Sequence, residues 1–207
     1  SSGSGNLGSC DRSTSSCPAA ATNGRYAYAL SCDGNDFLHT DMALDVQTFT
    51  TAAWVYPVAN DNGFHGLMGQ QATNAQNRAP SVYVTQQTQI HAGFGDGTTW
   101  NSFTTGNVLT LNTWQHVATT FDGTTYRVYV NGVEVYNTTT IAGKKPVATT
   151  GYNVGYINNY FKGRLDEVAF LDKALTATEI TTLMNGRYNP NDNILAPGND
   201  LTYQATV

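Results

Sequence analysis

The sequence predicts an all-β fold, a two-sheet antiparallel jelly-roll sandwich with one short C-terminal helix. Three observations carry this. Short runs of β-branched and aromatic residues recur between Gly-, Asn- and Asp-rich turns, a spacing that suits sandwiches rather than α/β folds. The dipeptides Asp122-Gly123 and Asn131-Gly132 bracket the alternating run Tyr126 to Val130. Both dipeptides favour hairpin turns, which need positive φ at two central residues. Helical signal is confined to one stretch, where Thr176 and Glu179 have capping-box spacing, Ile180 and Leu183 share a face, and Gly186 can end the helix.

Taken in order, residues 1–24 carry turn chemistry and no periodicity. Tyr26 to Cys32 is the first strand, Asp33-Gly34-Asn35-Asp36 a turn, and Phe37 to Thr40 a short strand after it. Phe49 to Tyr56 is rich in β-formers and stops at Pro57. Residues 59–79 read as one long polar loop, and compact domains seldom keep such a loop without a use. Ser81 to Thr85 and Gln89 to Phe94 form a strand pair, and Gly95-Asp96-Gly97 turns the chain toward Thr98 to Thr104. Trp114 to Phe121 follows. In the next strand Tyr126, Val128 and Val130 share one face while Arg127 and Tyr129 share the other. Gly151 to Gly155 and Arg164 to Leu171 are the later strands. The jelly roll then occupies residues 1–188. Residues 189–207 are a linker opened by the breaker cluster Asn189 to Asn193, then an extra strand in which Leu201, Tyr203, Ala205 and Val207 alternate on one face.

Composition narrows the function. A chain of 207 residues suits one large β domain with a sizeable core. Charged residues are 12%, about half the typical share, so Thr, Asn, Ser, Gln and Gly must build the polar surface, as in extracellular β-proteins. Lys and Arg total 10 against 15 Asp and Glu. With no basic patch, nucleic acid and anionic membranes are poor partners. No apolar run reaches the ~20 residues of a bilayer span, so no membrane insertion is expected. The start at Ser1, without Met or signal peptide, fits a removed leader or a cut from a larger protein. Cys10 and Cys17 lie in a Ser/Gly-rich loop, and a local disulfide there fits an oxidising, secreted or cell-surface location. Cys32 reads as a buried thiol, and the absence of any C-x-x-C spacing argues against zinc.

Two blocks are more specific. One is Trp114-Gln115-His116-Val117-Ala118 with Phe121-Asp122-Gly123 and Tyr126 to Gly132. The other is Gly163-Arg164-Leu165-Asp166-Glu167-Val168-Ala169-Phe170 with Ala174-Leu175-Thr176 and Glu179-Ile180. Together with Phe49 to Pro57 they make the chain from about Tyr26 to Ile180 resemble the laminin-G-like branch of the concanavalin A-like lectin/glucanase superfamily. The resemblance implies a jelly roll and a structural calcium ion. Cys32-Asp33-Gly34-Asn35-Asp36 is similar to the family's Phe-Asp-Gly-x-Asp turn, with Cys32 in the usual Phe place, and Asp166 is the usual partner. The implied ligands are Asp33, Asn35, Asp36 and Asp166, with the Arg164 carbonyl, because calcium takes six to eight oxygens. The same turn residues equally suit Asx bonding alone. The resemblance also places a strand ahead of the Ser/Gly/Asn-rich stretch, and this sequence begins just after that place. The fold is therefore expected to be one strand short at the front.

Catalytic chemistry is missing from the sequence. The superfamily's glucanase pattern Glu-x-Asp-x-x-Glu does not occur. Asp166 and Glu167 are strand neighbours, so their side chains should point to opposite faces and cannot pair as acid and base. His39, His65, His91 and His116 have no ligand spacing, and His116 is expected beside Trp114. There is no nucleophile elbow and no phosphate loop. The expectation is a non-catalytic extracellular structural or adhesive protein. In one form it is a filament subunit that donates residues 201–207 to the next copy of itself, head to tail. In another it is a lectin-like module of a larger surface adhesin. That module would bind cell-surface glycans through the loop 59–79, the stretch 152–160 and the residues Tyr83, Trp100, Tyr156 and Asn158. The tail also resembles the opening strand of a following sandwich in such an adhesin. Asn137-Thr138-Thr139 is an N-glycosylation sequon.

Overall fold

The computed structural model describes residues 10, 17–26, 28–59 and 61–186. The expected tail strand Leu201, Tyr203, Ala205 and Val207, and the whole segment 189–207, lie outside the described residues.

The strands are β1 (Ala19–Ala21), β2 (Ala29–Asp33), β3 (Leu38–Thr40), β4 (Phe49–Pro57), β5 (His65–Gly69), β6 (Ser81–Thr85), β7 (Gln89–Gly95) and β8 (Trp100–Asn107). They continue as β9 (Gln115–Phe121), β10 (Tyr126–Val130), β11 (Val133–Thr138), β12 (Tyr152–Val154), β13 (Tyr156–Ile157), β14 (Asn159–Tyr160) and β15 (Lys162–Leu171), and end in helix α1 (Ala177–Asn185). One sheet has the order β1-β2-β15-β4-β9-β10-β11. The other runs β13-β14-β5-β6-β7-β8, with β12 joining β3 and β5. Pairing is antiparallel except for the short β14–β5 contact. The predicted sandwich is thus the observed one. Among the described residues no helix is long and apolar enough to cross a membrane.

The core forms where the inner faces meet. Period-two alternation sends Tyr126, Val128 and Val130 inward, while Tyr129 joins a second cluster on the outer face. Phe49 is fully buried and its ring lies 5.8–6.1 Å from those of Phe94, Phe121, Tyr126 and Phe170. Each such side chain contributes about 2 kcal/mol by leaving water. Helix α1 covers the outer face of the first sheet, packing Ile180 and Leu183 against Ala52, Ala118 and Tyr129. Its capping box is formed as predicted: Thr176 Oγ1 accepts from Glu179 N, and Glu179 accepts from Thr176 N.

Local chemistry corrects several expectations. At Asn131-Gly132 both φ angles are positive, 51° and 79°, as a type I′ turn requires. Asp122-Gly123 instead opens a four-residue loop between β9 and β10, because Asp122 Oδ1 accepts from both Thr124 N and Thr125 N. Residues 59–79 are not one loop. β5 runs through them, and its Gly-rich sequence hides a central strand. Ile157 crosses directly over Gly66, where a Cβ would lie 2.2 Å from Ile157 N, so only glycine fits. The front stretch also contains a strand, since β1 pairs with β2 at that edge of the sheet.

Strand β15 carries a bulge between Asp166 and Ala169, with Glu167 at φ 48°. The simple alternation expected at Asp166-Glu167 is broken there. His116 packs against Trp54 at 5.5 Å, whereas Trp114 packs against Tyr56, so the expected His116–Trp114 contact is replaced. Cys10 and Cys17 are joined, with Cα atoms 5.2 Å apart. Cys32 is a buried free thiol, and burial pushes its pKa up to about 12.

Candidate functional site

Strands β6, β7 and β8 lie side by side in the second sheet. Their register places Tyr83 beside His91, His91 beside Thr104, and Gly95 beside Trp100. Alternation turns these residues away from the core formed by Val82, Ile90, Ala92 and Phe94. Phe64, just before β5, leans onto the same face. The His91 ring lies 4.8 Å from Phe64, 5.6 Å from Tyr83 and 6.1 Å from Trp100. Phe64 is 42% exposed while Tyr83 is fully buried. Tyr83 is therefore the floor, and Phe64 and Trp100 flank the accessible surface.

His91 is fixed by its neighbours. Trp100 Nε1–H points at Nε2 over a long 3.4 Å, and Nδ1 lies 2.8 Å from Thr104 Oγ1. With Nε2 as acceptor, the neutral ring carries its proton on Nδ1 and donates it to Thr104. Burial lowers the His91 pKa to about 4, so the ring is uncharged near neutral pH.

A polar wall stands beside the rings. The segment after β5 folds over the sheet edge, where the Arg78 and Gln76 carbonyls accept from Gly95 N and Gly97 N at 2.7 and 2.9 Å. This buries Arg78 to 7% exposure. Its Nη1 donates to Tyr83 Oη at 3.1 Å, and its Nη2 donates to the Ala72 carbonyl at 3.3 Å and to Asn158 Oδ1 at 2.6 Å. Its Nε is buried with no partner. Asn158 sits at the tip of the β13–β14 hairpin with φ 64°, and its N–H donates to Gln71 Oε1. Half-exposed rings beside fixed amides and hydroxyls match flat, partly apolar, hydroxyl-rich ligands.

Of the sequence-predicted glycan residues, Tyr83 and Trp100 meet here at 6.5 Å, and Arg78 links Asn158 to Tyr83. Tyr156 belongs to another group, stacked on Tyr160 at 4.4 Å and beside Phe37. Sequence reasoning missed Phe64, Arg78 and His91. Two signals were available: Arg78 is the one Lys or Arg in residues 59–79, and His91 falls on the face opposite Ile90, Ala92 and Phe94.

The implied calcium ligands do not converge. Asp33 lies opposite Lys162 in the β2–β15 ladder, and Asp166 is four residues further along, about 13 Å at strand rise. Asp33 Oδ1 accepts from Asn35 N, and Asp36 Oδ2 accepts from Asp33 N at 2.8 Å, which is the Asx-type turn. Burial raises the Asp36 pKa above its ordinary value. Asp166 turns both oxygens to backbone donors, Arg25 N and Tyr26 N on Oδ2 and Glu167 N on Oδ1. Among the described residues no three His, Cys, Asp or Glu side chains gather as metal ligands. Asp33, Asn35 and Asp36 thus share one turn, and Asp166 stands apart from it on its own backbone donors, so the four do not gather around one point.

Comparison with known proteins places residues 32–181 within the family model described as the concanavalin A-like lectin/glucanases superfamily. No curated protein sequence matches the chain. Among solved structures, the binding domain of Paraclostridial Mosquitocidal Protein 1 is similar with TM-score 0.64 and 14% identity, over 81% of this chain and 45% of that one. The chain thus spans less than half of that structure's length. Domain 4 of AbnA, an extracellular arabinanase from Geobacillus stearothermophilus solved with arabinotriose, is similar with TM-score 0.65 and 21% identity, over 80% of each chain. The ligand binding domain of botulinum neurotoxin serotype D, solved with N-acetylneuraminic acid, is similar with TM-score 0.61 and 13% identity, over 81% of this chain and 44% of that one. At these identities the structures share the fold.

Proposed function

The chain belongs to the concanavalin A-like lectin/glucanase superfamily, and from that premise we propose that it is a carbohydrate-binding, lectin-like module that recognises glycans and performs no chemical step on them. The observation that carries this reading is the ring group Phe64, His91 and Trp100 on the outer face of the second sheet, walled by Arg78 and Asn158. Sugars offer apolar C–H faces that lie against aromatic rings and hydroxyls that bond to fixed amides.

Three further points support it. The arabinanase domain and the toxin domain that share this fold were each solved with a carbohydrate ligand. Asp166 spends its carboxylate on backbone donors, which leaves it unsuited to act as a glycosidase acid. The low charge content and the Cys10–Cys17 bond suit a secreted or surface-displayed module. The filament reading rests on residues 201–207, and no observation on the described residues supports it.

The test is glycan-array screening of the full chain, followed by calorimetry with the best hit. Binding that falls at least about ten-fold on Trp100→Ala, with the melting temperature held, supports the proposal. Silence across an array of neutral and acidic glycans at high protein concentration overturns it.

A further inference from the structure

We infer that the ring-and-arginine site is built for an acidic sugar, with Arg78 supplying the positive charge that a sugar carboxylate meets. This rests on the carbohydrate-binding reading above and goes further by naming the ligand class.

A buried guanidinium is costly unless an anion or a full set of hydrogen bonds offsets its lost hydration. Arg127, Lys144, Lys145 and Lys173 each pair with a carboxylate, and all of them are more exposed than Arg78. Arg25 and Arg164 lie over aromatic rings. Among the described residues Arg78 has neither arrangement. Among the same residues its hydrogen-bond partners are all neutral: the Tyr83 hydroxyl, the Ala72 carbonyl and the Asn158 amide oxygen. Its Nε donor has none.

Among the described residues no carboxylate forms an ion pair with Arg78. His91 is neutral and already committed to Thr104 and Trp100. Asp61, the acidic residue on the Phe64 side, keeps its charge but turns it to Gly63 N and His65 Nε2 rather than to Arg78. The positive field of Arg78 therefore acts beside the Phe64–Trp100 surface, with Asn158 at the tip of a surface hairpin between it and solvent. A sugar ring on Phe64 and Trp100 with a carboxylate turned toward Asn158 would use the stacking surface and sit in the positive field of Arg78 together.

The experiment uses ligand pairs in which a methyl ester removes the charge: sialyllactose and a galacturonic-acid trimer, each against its methyl ester, measured by calorimetry on the full chain. The free acids should bind about ten-fold or more tightly than their esters. That preference should shrink between about 50 mM and about 500 mM salt. Asn158→Asp places a carboxylate on Nη2 of Arg78 from an exposed position, so this variant should fold, melt higher than the parent and lose the preference for acids. Arg78→Lys should keep part of the preference and Arg78→Gln none, read only in variants whose melting is cooperative. Equal binding of acids and esters, or an Asn158→Asp variant that still prefers acids, overturns this inference while leaving a lectin that takes neutral sugars. Absence of binding to acids, esters and neutral parents alike overturns both readings.

Discussion

Asp166 accepts the backbone N–H of Tyr26 at 3.1 Å, across 140 residues of sequence. The same carboxylate holds Arg25 N at 2.8 Å and Glu167 N at 2.9 Å, and Tyr26 Oη in turn donates to the Met184 carbonyl. One side chain thus ties the front of the chain to the bulge of β15, and through Tyr26 to the end of α1. The motif residue that the family resemblance offers as a calcium ligand acts here as a backbone clamp.

Asp166→Ala would take the carboxylate from those part-buried donors. Urea unfolding should show a loss of about 2–4 kcal/mol, with Asp166→Asn recovering part of it. A loss below about 0.5 kcal/mol would show that water or a neighbour replaces the carboxylate.

Phe64→Ala and Trp100→Ala should each weaken glycan binding about ten-fold, because these rings flank the accessible surface. Tyr156→Ala should leave affinity unchanged, because its ring stacks on Tyr160 away from the site. Calorimetry with one glycan across the three variants decides this, and a stronger effect at Tyr156 would move the site to the Phe37 group.

His91 and His116 both have pKa values lowered by burial to about 4. Their folded values lie below the unfolded value of about 6.5, so the unfolded chain takes up protons first as pH falls. Stability is therefore whole above about pH 6.5 and declines toward pH 4. At pH 5 each histidine accounts for about 2 kcal/mol of that loss. Asp96, Asp122 and Glu179, held below the usual carboxylate range by hydrogen bonds and lysine or arginine partners, add their losses at lower pH still. His116 Nδ1 has no partner and its ring packs edge-on to Trp54, so His116→Phe should fold and flatten the pH 7 to 5 stability profile by about 2 kcal/mol. An unchanged slope would show that the imidazole is hydrated.

Gly66→Ala should destabilise or prevent folding, since the new Cβ would meet Ile157 backbone at 2.2 Å. Thr176→Ala should cost only about 1 kcal/mol, the worth of an exposed N-cap. Comparing the two unfolding midpoints tests whether the β5–β13 crossing or the helix start is the tighter constraint, and similar midpoints would show that Ile157 yields.

Features set by neighbours in sequence were legible without the structure. The alternation of Tyr126, Val128 and Val130, the turn at Asn131-Gly132 and the capping box of Thr176 and Glu179 all depend on residues within one or two turns of each other. β5 was not legible, because His65-Gly66-Leu67-Met68-Gly69 lacks β-formers for a reason that lies in Ile157, 91 positions beyond Gly66 in the numbering. The bulge at Asp166 was hidden in the same way, since it answers to Arg25 and Tyr26.

The sequence by itself determined the sandwich, its helix and the scarcity of paired carboxylates, because these follow from period, turn chemistry and composition. It also pointed to Tyr83, Trp100 and Asn158. Only the tertiary structure decided that Tyr83 is a buried floor, that Phe64 and His91 lie on the same face, and that Arg78 stands beside them with neutral partners among the described residues. Only it separated Asp166 from Asp33 and Asp36. The physical reason is common to all of these: the partners that bury a ring, orient a carboxylate or leave a cation uncompensated come from strands far apart in sequence, and register in the folded sheets brings them together.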